Sequence, residues 1–330
     1  MRTAILAASA ALALALPAVA QEAAKPAYPA PSEIVAAAPK ADWVAIAAED
    51  LLVMTLAPDA EGKPRIVVIQ LMPAPFSQGW VHNIRLFARA KWYDGISVNR
   101  VQDNYVTQWG DPNYDNPEAT GKPKPLPDGL KVMSEAEYTA DVPLRDLNDT
   151  LRGLSHDAYA ERVAFTAGFP VGFRIYSPPP GARVSEFLTS AWPTHCYGMV
   201  GVGRNYSPDT GSGAELYTVI GHAPRHLDRN IALVGRVIEG MEHLSSLPRG
   251  KGELGFYAKG EAAKRTPILT VRVASDLAPS EQPAFEYLST ESETFAAYAD
   301  AIANRRDPFF ITPAGGADIC NIRVPVRRVQ

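Results

Sequence analysis

Two short runs rich in Leu, Ile and Val, Leu51–Leu56 and Arg65–Leu71, flank the turn-forming segment Asp59-Ala60-Glu61-Gly62 and predict a β-hairpin. After Pro73 and Pro75, Ser77 offers an N-cap. Trp80, Ile84, Phe87 and Ala88 then recur at i, i+4, i+7 and i+8, which predicts a helix with one apolar face, ending before Tyr93-Asp94-Gly95. Glycine-punctuated β-type runs return from Tyr197 to Met241, and Ile268–Ala274 alternates apolar positions with Thr270 and Arg272, as a half-exposed strand does. The stretch between differs in texture: Pro112, Pro117, Pro123, Pro125 and Pro127 crowd its first half and Ser177-Pro178-Pro179-Pro180-Gly181 its second. It reads as a large insertion, 112–193, with a helix expected from Asp157 to about Ala167, capped by Ser155 and ended by Gly168 and Pro170. Beyond Leu277 lies an appendix. Thr290 with Glu293 forms a capping box there, Phe295, Tyr298, Ala299 and Ile302 make a helical stripe, and Ile319–Val326 predicts one last strand.

The first twenty residues follow another pattern. Arg2 precedes an almost wholly apolar stretch, Ala4–Leu16, and Ala18-Val19-Ala20 forms a small-residue site before Gln21, so residues 1–20 read as a cleaved signal peptide. An anchoring helix would need about 20 apolar residues, whereas Pro17 interrupts this run, and the longest later apolar stretch, Val163–Phe173, is shorter still. The expectation is an exported, periplasmic chain with no membrane insertion after cleavage. Residues 21–45, rich in Ala and Pro, are expected to form an extended, solvated leader.

Composition narrows the class. At 46% hydrophobic the chain is too apolar to be disordered, and 29 Pro against 24 Gly favour many turns over long helices. With 32 basic and 36 acidic residues interspersed, the net charge of -4 leaves no basic stripe and argues against nucleic-acid binding. There are two cysteines, Cys196 and Cys320. In an oxidising compartment a bridge closing a loop of this length would stabilise by about 4 to 5 kcal/mol in the chain-entropy model. Cys196 also sits in an apolar run, where a free thiol acts as a small hydrophobe, so two buried thiols stand as the alternative.

Several catalytic patterns fail on spacing. His222 and His226 have the i, i+4 interval of zinc ligands, but Pro224 lies between them and no third ligand accompanies them. His195 and Cys196 are adjacent, and neighbours in a strand point to opposite faces, which separates base from nucleophile. Gly201-Val202-Gly203 lacks the rest of a dinucleotide fingerprint, and Gly211-Ser212-Gly213 lacks the spacing of a nucleophile elbow. No metal and no cofactor are expected.

The informative stretch is Tyr93-Asp94-Gly95-Ile96-Ser97-Val98-Asn99-Arg100-Val101, followed by Tyr105-Val106-Thr107-Gln108-Trp109-Gly110-Asp111. A β-run there sets Arg100 beside an aromatic, a branched aliphatic and an amide, a combination suited to gripping an apolar peptide group. This resembles the cyclophilin-type peptidyl-prolyl isomerases, whose pattern is tyrosine-aspartate-glycine, an arginine on the next strand, and a glutamine before glycine-aspartate. A second block agrees in order: Gly213-Ala214-Glu215-Leu216-Tyr217, His226-Leu227-Asp228, and Gly235 to Met241. The resemblance covers 46–111 and 194–276, making 46–276 a cyclophilin-like domain interrupted by 112–193 and followed by a C-terminal extension, 277–330. It implies a mainly β fold: a closed eight-stranded antiparallel barrel capped by two helices, with a Pro-rich insertion and an α/β appendix. Periodicity alone supports only a β-rich α+β protein.

Carried over position by position, the resemblance assigns catalysis to Arg100 and substrate contact to Tyr105, Val106, Gln108, Val200, Gly201, Glu215, Tyr217, His226, Leu227 and Ile231. Several depart from the family: a glutamine becomes Glu215, a tryptophan or phenylalanine becomes His226, a histidine becomes Ile231, and an alanine-asparagine pair becomes Val200-Gly201. The carboxylate of Glu215 is expected to pair with Arg100, and His226 weighs against tight binding of cyclosporin-like peptides. The implied function is isomerisation of X-Pro bonds in unfolded or exported proteins. The alternatives are a module that binds proline-containing segments without turnover, and a structural role in an envelope complex.

Overall fold

The computed structural model describes residues 28–113, 119–148, 157–177, 180, 181, 183 and 187–329. The proposed signal peptide, the first seven residues of the leader and the Ser155 cap lie outside them.

The Leu51–Leu56 and Arg65–Leu71 runs form strands β2 and β3, paired antiparallel in the expected hairpin. They belong to an eight-stranded sheet with β4 (Ser97–Val101), β5 (Val106–Gly110), β10 (Met199–Val202), β11 (Leu216–Val219), β12 (Leu233–Glu239) and β13 (Ile268–Val273). The order is β13-β2-β3-β12-β10-β11-β5-β4, every pairing being antiparallel. The two outer strands approach each other as well: Ser97 bridges Pro267, the Val98 N–H donates to Thr266 O at 2.9 Å, and the Ile268 N–H donates to Ile96 O at 2.8 Å. The sheet thereby curls into a nearly closed barrel, which removes the exposed edges that an open sheet would leave.

The amphipathic run after Pro75 is helix α2 (Gln78–Arg89), with Trp80, Val81, Ile84, Phe87 and Ala88 buried against the barrel. Its start differs from the expected cap. Ser77 is in the left-handed region (φ 56°) and its side chain makes no capping bond; instead Gln78 Nε2 donates to Met72 O and Phe76 O at 3.0 and 2.8 Å. A second, one-turn helix, α3 (Glu242–Ser245), follows β12, and Leu244 O accepts the Thr107 hydroxyl of β5 at 3.0 Å.

The insertion is itself a sheet, ordered β6-β9-β8-β7, from β6 (Ala140–Pro143), β7 (Arg162–Thr166), β8 (Phe169–Ile175) and β9 (Leu188–Pro193). The helix expected over 157–167 is not there: its residues supply β7. Ala167 (φ 47°) and Gly168 (φ 82°) make a two-residue hairpin turn, with Thr166 opposite Phe169, so the glycine read as a helix stop instead reverses a strand.

The leader departs from its expected extended form. Pro31–Ala36 is a short helix, α1, and Trp43–Ala45 is a strand, β1. That strand pairs with β14 (Phe285–Leu288), which pairs with β15 (Val326–Arg328), so leader and appendix share one sheet. Helix α4 (Glu293–Ala303) carries the expected stripe, but its cap is Ser292, whose hydroxyl accepts from Phe295 N at 3.0 Å, while Thr290 Oγ1 takes the Gly168 N–H. The last strand begins at Val326, because Ile319–Asn321 is a 3-10 turn. A separate apolar cluster, including Trp43, Phe165, Phe285 and Phe295, packs leader, insertion and appendix together. Cys196, just before β10, and Cys320 in the appendix form a disulfide that ties appendix to barrel.

Candidate active site

Arg100 sits on β4, where the strand meets a loop from 252 to 257. Three of the five guanidinium N–H groups are used within the protein. Nε donates to Leu254 O at 2.7 Å, one terminal nitrogen to Gln108 Oε1 at 3.0 Å, and the other to Gln102 Oε1. Leu254 is itself in the left-handed region (φ 52°), a conformation that a non-glycine residue adopts at some cost, and its carbonyl meets the guanidinium. The charged plane also lies over the rings of Tyr105 and Phe256, 5.7 and 5.5 Å from their centroids. Burial lowers the pKa of Arg100, but a guanidinium starts so high that it stays a cation at neutral pH. The other two N–H groups have no hydrogen-bond partner among the described residues, and Arg100 lines a cleft.

Gln108 links Arg100 to Glu215. With its oxygen on Arg100, its Nε2 reaches Glu215 Oε2 at 3.4 Å, and this orientation of the amide alone satisfies both neighbours. The direct pair between Arg100 and Glu215 expected from sequence is thus replaced by a relay through an amide. The Glu215 side chain fits because residue 110 is glycine: a Cβ there would lie 1.9 Å from Glu215 Oε1.

The cleft has a volume of about 950 Å³. Of the residues assigned from sequence, Arg100, Tyr105, Val106, Gln108, Glu215, Tyr217, Leu227 and Ile231 line it. Val106, Tyr217 and Val219 form a small buried apolar cluster against which Tyr105 and Ile231 pack, giving a dry patch beside the guanidinium. The other three do not line it. His226 is exposed and stacks nearly parallel to Tyr105 with 6.5 Å between centroids, while Val200 and Gly201 lie beneath the wall on β10. Gly201 is the cross-strand partner of Tyr217, and a Cβ on it would come within 2.3 Å of the Tyr217 hydroxyl. Its lack of a side chain leaves room for the phenol end of the Tyr217 ring.

Sequence reading missed Phe256 and Leu254, which complete the cleft from a distant loop that no motif marks. It also missed what stands behind Tyr217. The phenol oxygen is 2.8 Å from His195 Nε2, and His195 Nδ1 is 2.9 Å from Asp228 Oδ1. Burial holds the imidazole below its ordinary pKa and the phenol well above its own, so both are neutral at pH 7. Among the described residues no group of acidic, histidine or cysteine side chains could hold a metal ion, and no helix is long and apolar enough to cross a membrane.

Comparison with known proteins agrees with this geometry. No curated protein matches the sequence. Among solved structures, the cyclophilin AquaCyp293 from Hirschia baltica superposes with a TM-score of 0.62 at 20% identity, covering 87% of this chain and 93% of that one, a likeness of fold. Residues 79–274, more than half the chain, match the cyclophilin type peptidyl-prolyl cis-trans isomerase/CLD family. An arginine braced beside an apolar cleft, on a nearly closed eight-stranded barrel, is therefore carried by a member of the cyclophilin-type peptidyl-prolyl isomerases.

Proposed function

We propose that this protein is a working prolyl isomerase that assists the folding of exported proteins in the periplasm, with Arg100 as its catalytic residue. The observation that carries the reading is the braced guanidinium beside the apolar patch of the cleft, two of its N–H groups having no hydrogen-bond partner among the described residues. An X-Pro bond rotates over a barrier of about 20 kcal/mol because amide resonance must be lost. As the bond twists, the proline nitrogen regains a lone pair, and a fixed N–H that meets this lone pair binds the twisted state more strongly than either planar one. The apolar patch of Tyr105, Val106, Leu227 and Ile231 receives the pyrrolidine ring and excludes water. No covalent step and no cofactor are needed.

Export is supported by the apolar segment ending in Ala18-Val19-Ala20 and by the disulfide, which suits an oxidising compartment. Cell fractionation with N-terminal mass spectrometry tests it: a periplasmic chain beginning at Gln21 is expected, and a cytoplasmic chain retaining Met1 contradicts it.

A second reading, a module that holds proline segments without turnover, draws on Glu215, whose carboxylate adds negative charge close to the group meant to meet the proline nitrogen. Isomerisation of proline tetrapeptides with several residues before proline, measured beside peptide affinity, separates the two. Turnover supports the enzyme. Binding alone supports the module.

A further inference from the structure

A buried chain of polar bonds runs from the cleft wall into the insertion, and isomerisation through Arg100 leaves it unused. It starts at the Tyr217 hydroxyl on His195 Nε2 (2.8 Å) and continues through His195, whose main-chain N–H and Nδ1 both reach Asp228 Oδ1 at 2.9 Å. Asp228 Oδ2 accepts from Arg225 Nε at 2.6 Å, and the two terminal nitrogens of Arg225 close a pair on Asp157 at 2.7 and 3.1 Å. The side chains of His195, Asp228, Arg225 and Asp157 are 0 to 3% exposed. The insertion adds a second hold on Arg225, since Tyr159 lies under its guanidinium at 5.4 Å.

The directions of these bonds follow from the donor inventory. An ionised Asp228 only accepts, so the hydrogen of a neutral His195 is on Nδ1 and its Nε2 is an acceptor. The phenol O–H of Tyr217 therefore donates into the wall, away from the cleft. Gly201 leaves room for the ring on the neighbouring strand, so this bond and the glycine together fix where the ring lies in the cleft wall.

We propose that Asp157, from the insertion, is a positioning residue for the proline pocket: through Arg225, Asp228 and His195 it holds the Tyr217 ring against Gly201 and sets the depth of the pocket. The proposal rests on the reading of this cleft as the proline site. It gives the insertion a part in substrate binding, and it explains why tyrosine and glycine occur together at positions 217 and 201.

The test is a double-mutant cycle on Asp157→Asn and Tyr217→Phe, read with the peptide Ala-Ala-Pro-Phe. Asp157→Asn is isosteric and leaves Arg225 paired with Asp228. Because pocket depth affects planar and twisted states alike, it should raise KM three- to tenfold with kcat within twofold. In the Tyr217→Phe background, where the anchored hydroxyl is gone, the same change should add less than 1.5-fold. An equal factor in both backgrounds, or no change in KM, overturns the proposal. If Asp157→Asn fails to fold, His195 carries the test: His195→Gln keeps a donor for Asp228 and an acceptor for Tyr217 and should raise KM by less than His195→Leu, and equal effects overturn it. Wild-type turnover and affinity for the peptide test the proline reading separately. Anchoring itself is read by NMR of ring-labelled tyrosine, where an unchanged Tyr217 signal in Asp157→Asn overturns the proposal whatever the activity.

Discussion

Gly201→Ala tests the packing of the cleft wall most sharply. The added methyl would stand 2.3, 2.4 and 2.8 Å from Oη, Cζ and Cε1 of Tyr217, well inside van der Waals contact. The obstacle is not a flexible chain end, because the Tyr217 hydroxyl is bonded to His195 and the two rings stack with 6.3 Å between centroids. If the ring shifts and keeps its bond, the cost is that of overpacking, about 1 to 3 kcal/mol. If the ring leaves, buried His195 Nε2 loses its donor, which costs about 1 to 3 kcal/mol. Either route gives an expected loss of about 1 to 3 kcal/mol, measured by urea unfolding with an unchanged m-value. Tyr217→Leu clears the ring, so in that background Gly201→Ala should cost under about 1 kcal/mol. A cost below about 0.5 kcal/mol in the wild-type background, or the same cost in both, would refute the packing argument.

The remaining expectations address the relay, the disulfide and the buried histidine. Glu215→Gln leaves an acceptor for Gln108 and should change kcat/KM by less than about fivefold; a loss matching that of Arg100→Ala would show that Glu215 itself, rather than the relay, supports turnover. Reducing the Cys196–Cys320 bridge, which spans 124 residues, should lower unfolding free energy by about 4 to 5 kcal/mol in the chain-entropy model, and a loss under about 1 kcal/mol by urea titration with reductant would contradict it. Burial depresses the pKa of His195 in the folded state, while Asp228, Arg225, His226 and Tyr217 face or surround it. Below about pH 6.5 the unfolded chain therefore takes up a proton that the native state refuses, and stability falls as pH drops. His195→Gln should flatten that slope, and an unchanged slope would show that other groups cause it.

What could be read from sequence follows from how local each signal is. The β2–β3 hairpin and α2 are legible because alternation and a four-residue apolar period are written within a dozen residues. Arg100, Gln108 and Glu215 are legible because they stand in compact motifs, although the motifs do not say that Gln108 would separate the two charges. The insertion misleads because Gly168 and Pro170 serve equally as a helix stop or a hairpin turn, and only pairing across to β8 and β9 decides. The leader is ordered by partners over 200 residues away, Trp43 lying opposite Leu288, which no local pattern encodes. His195, Asp228, Arg225 and Asp157 were hidden for the same reason: a buried polar chain assembled from three separate segments has no spacing to recognise.

The central claim is that one braced guanidinium lowers the barrier to rotation about the X-Pro bond. Its most direct test is kcat/KM for cis-trans isomerisation of a proline tetrapeptide by wild type and Arg100→Ala, with near-UV circular dichroism to verify the fold. Because every 1.36 kcal/mol of stabilisation unique to the twisted state is worth a factor of ten, the account predicts at least a tenfold loss in an otherwise native barrel. A wild-type enzyme with measurable activity that Arg100→Ala leaves intact would contradict it.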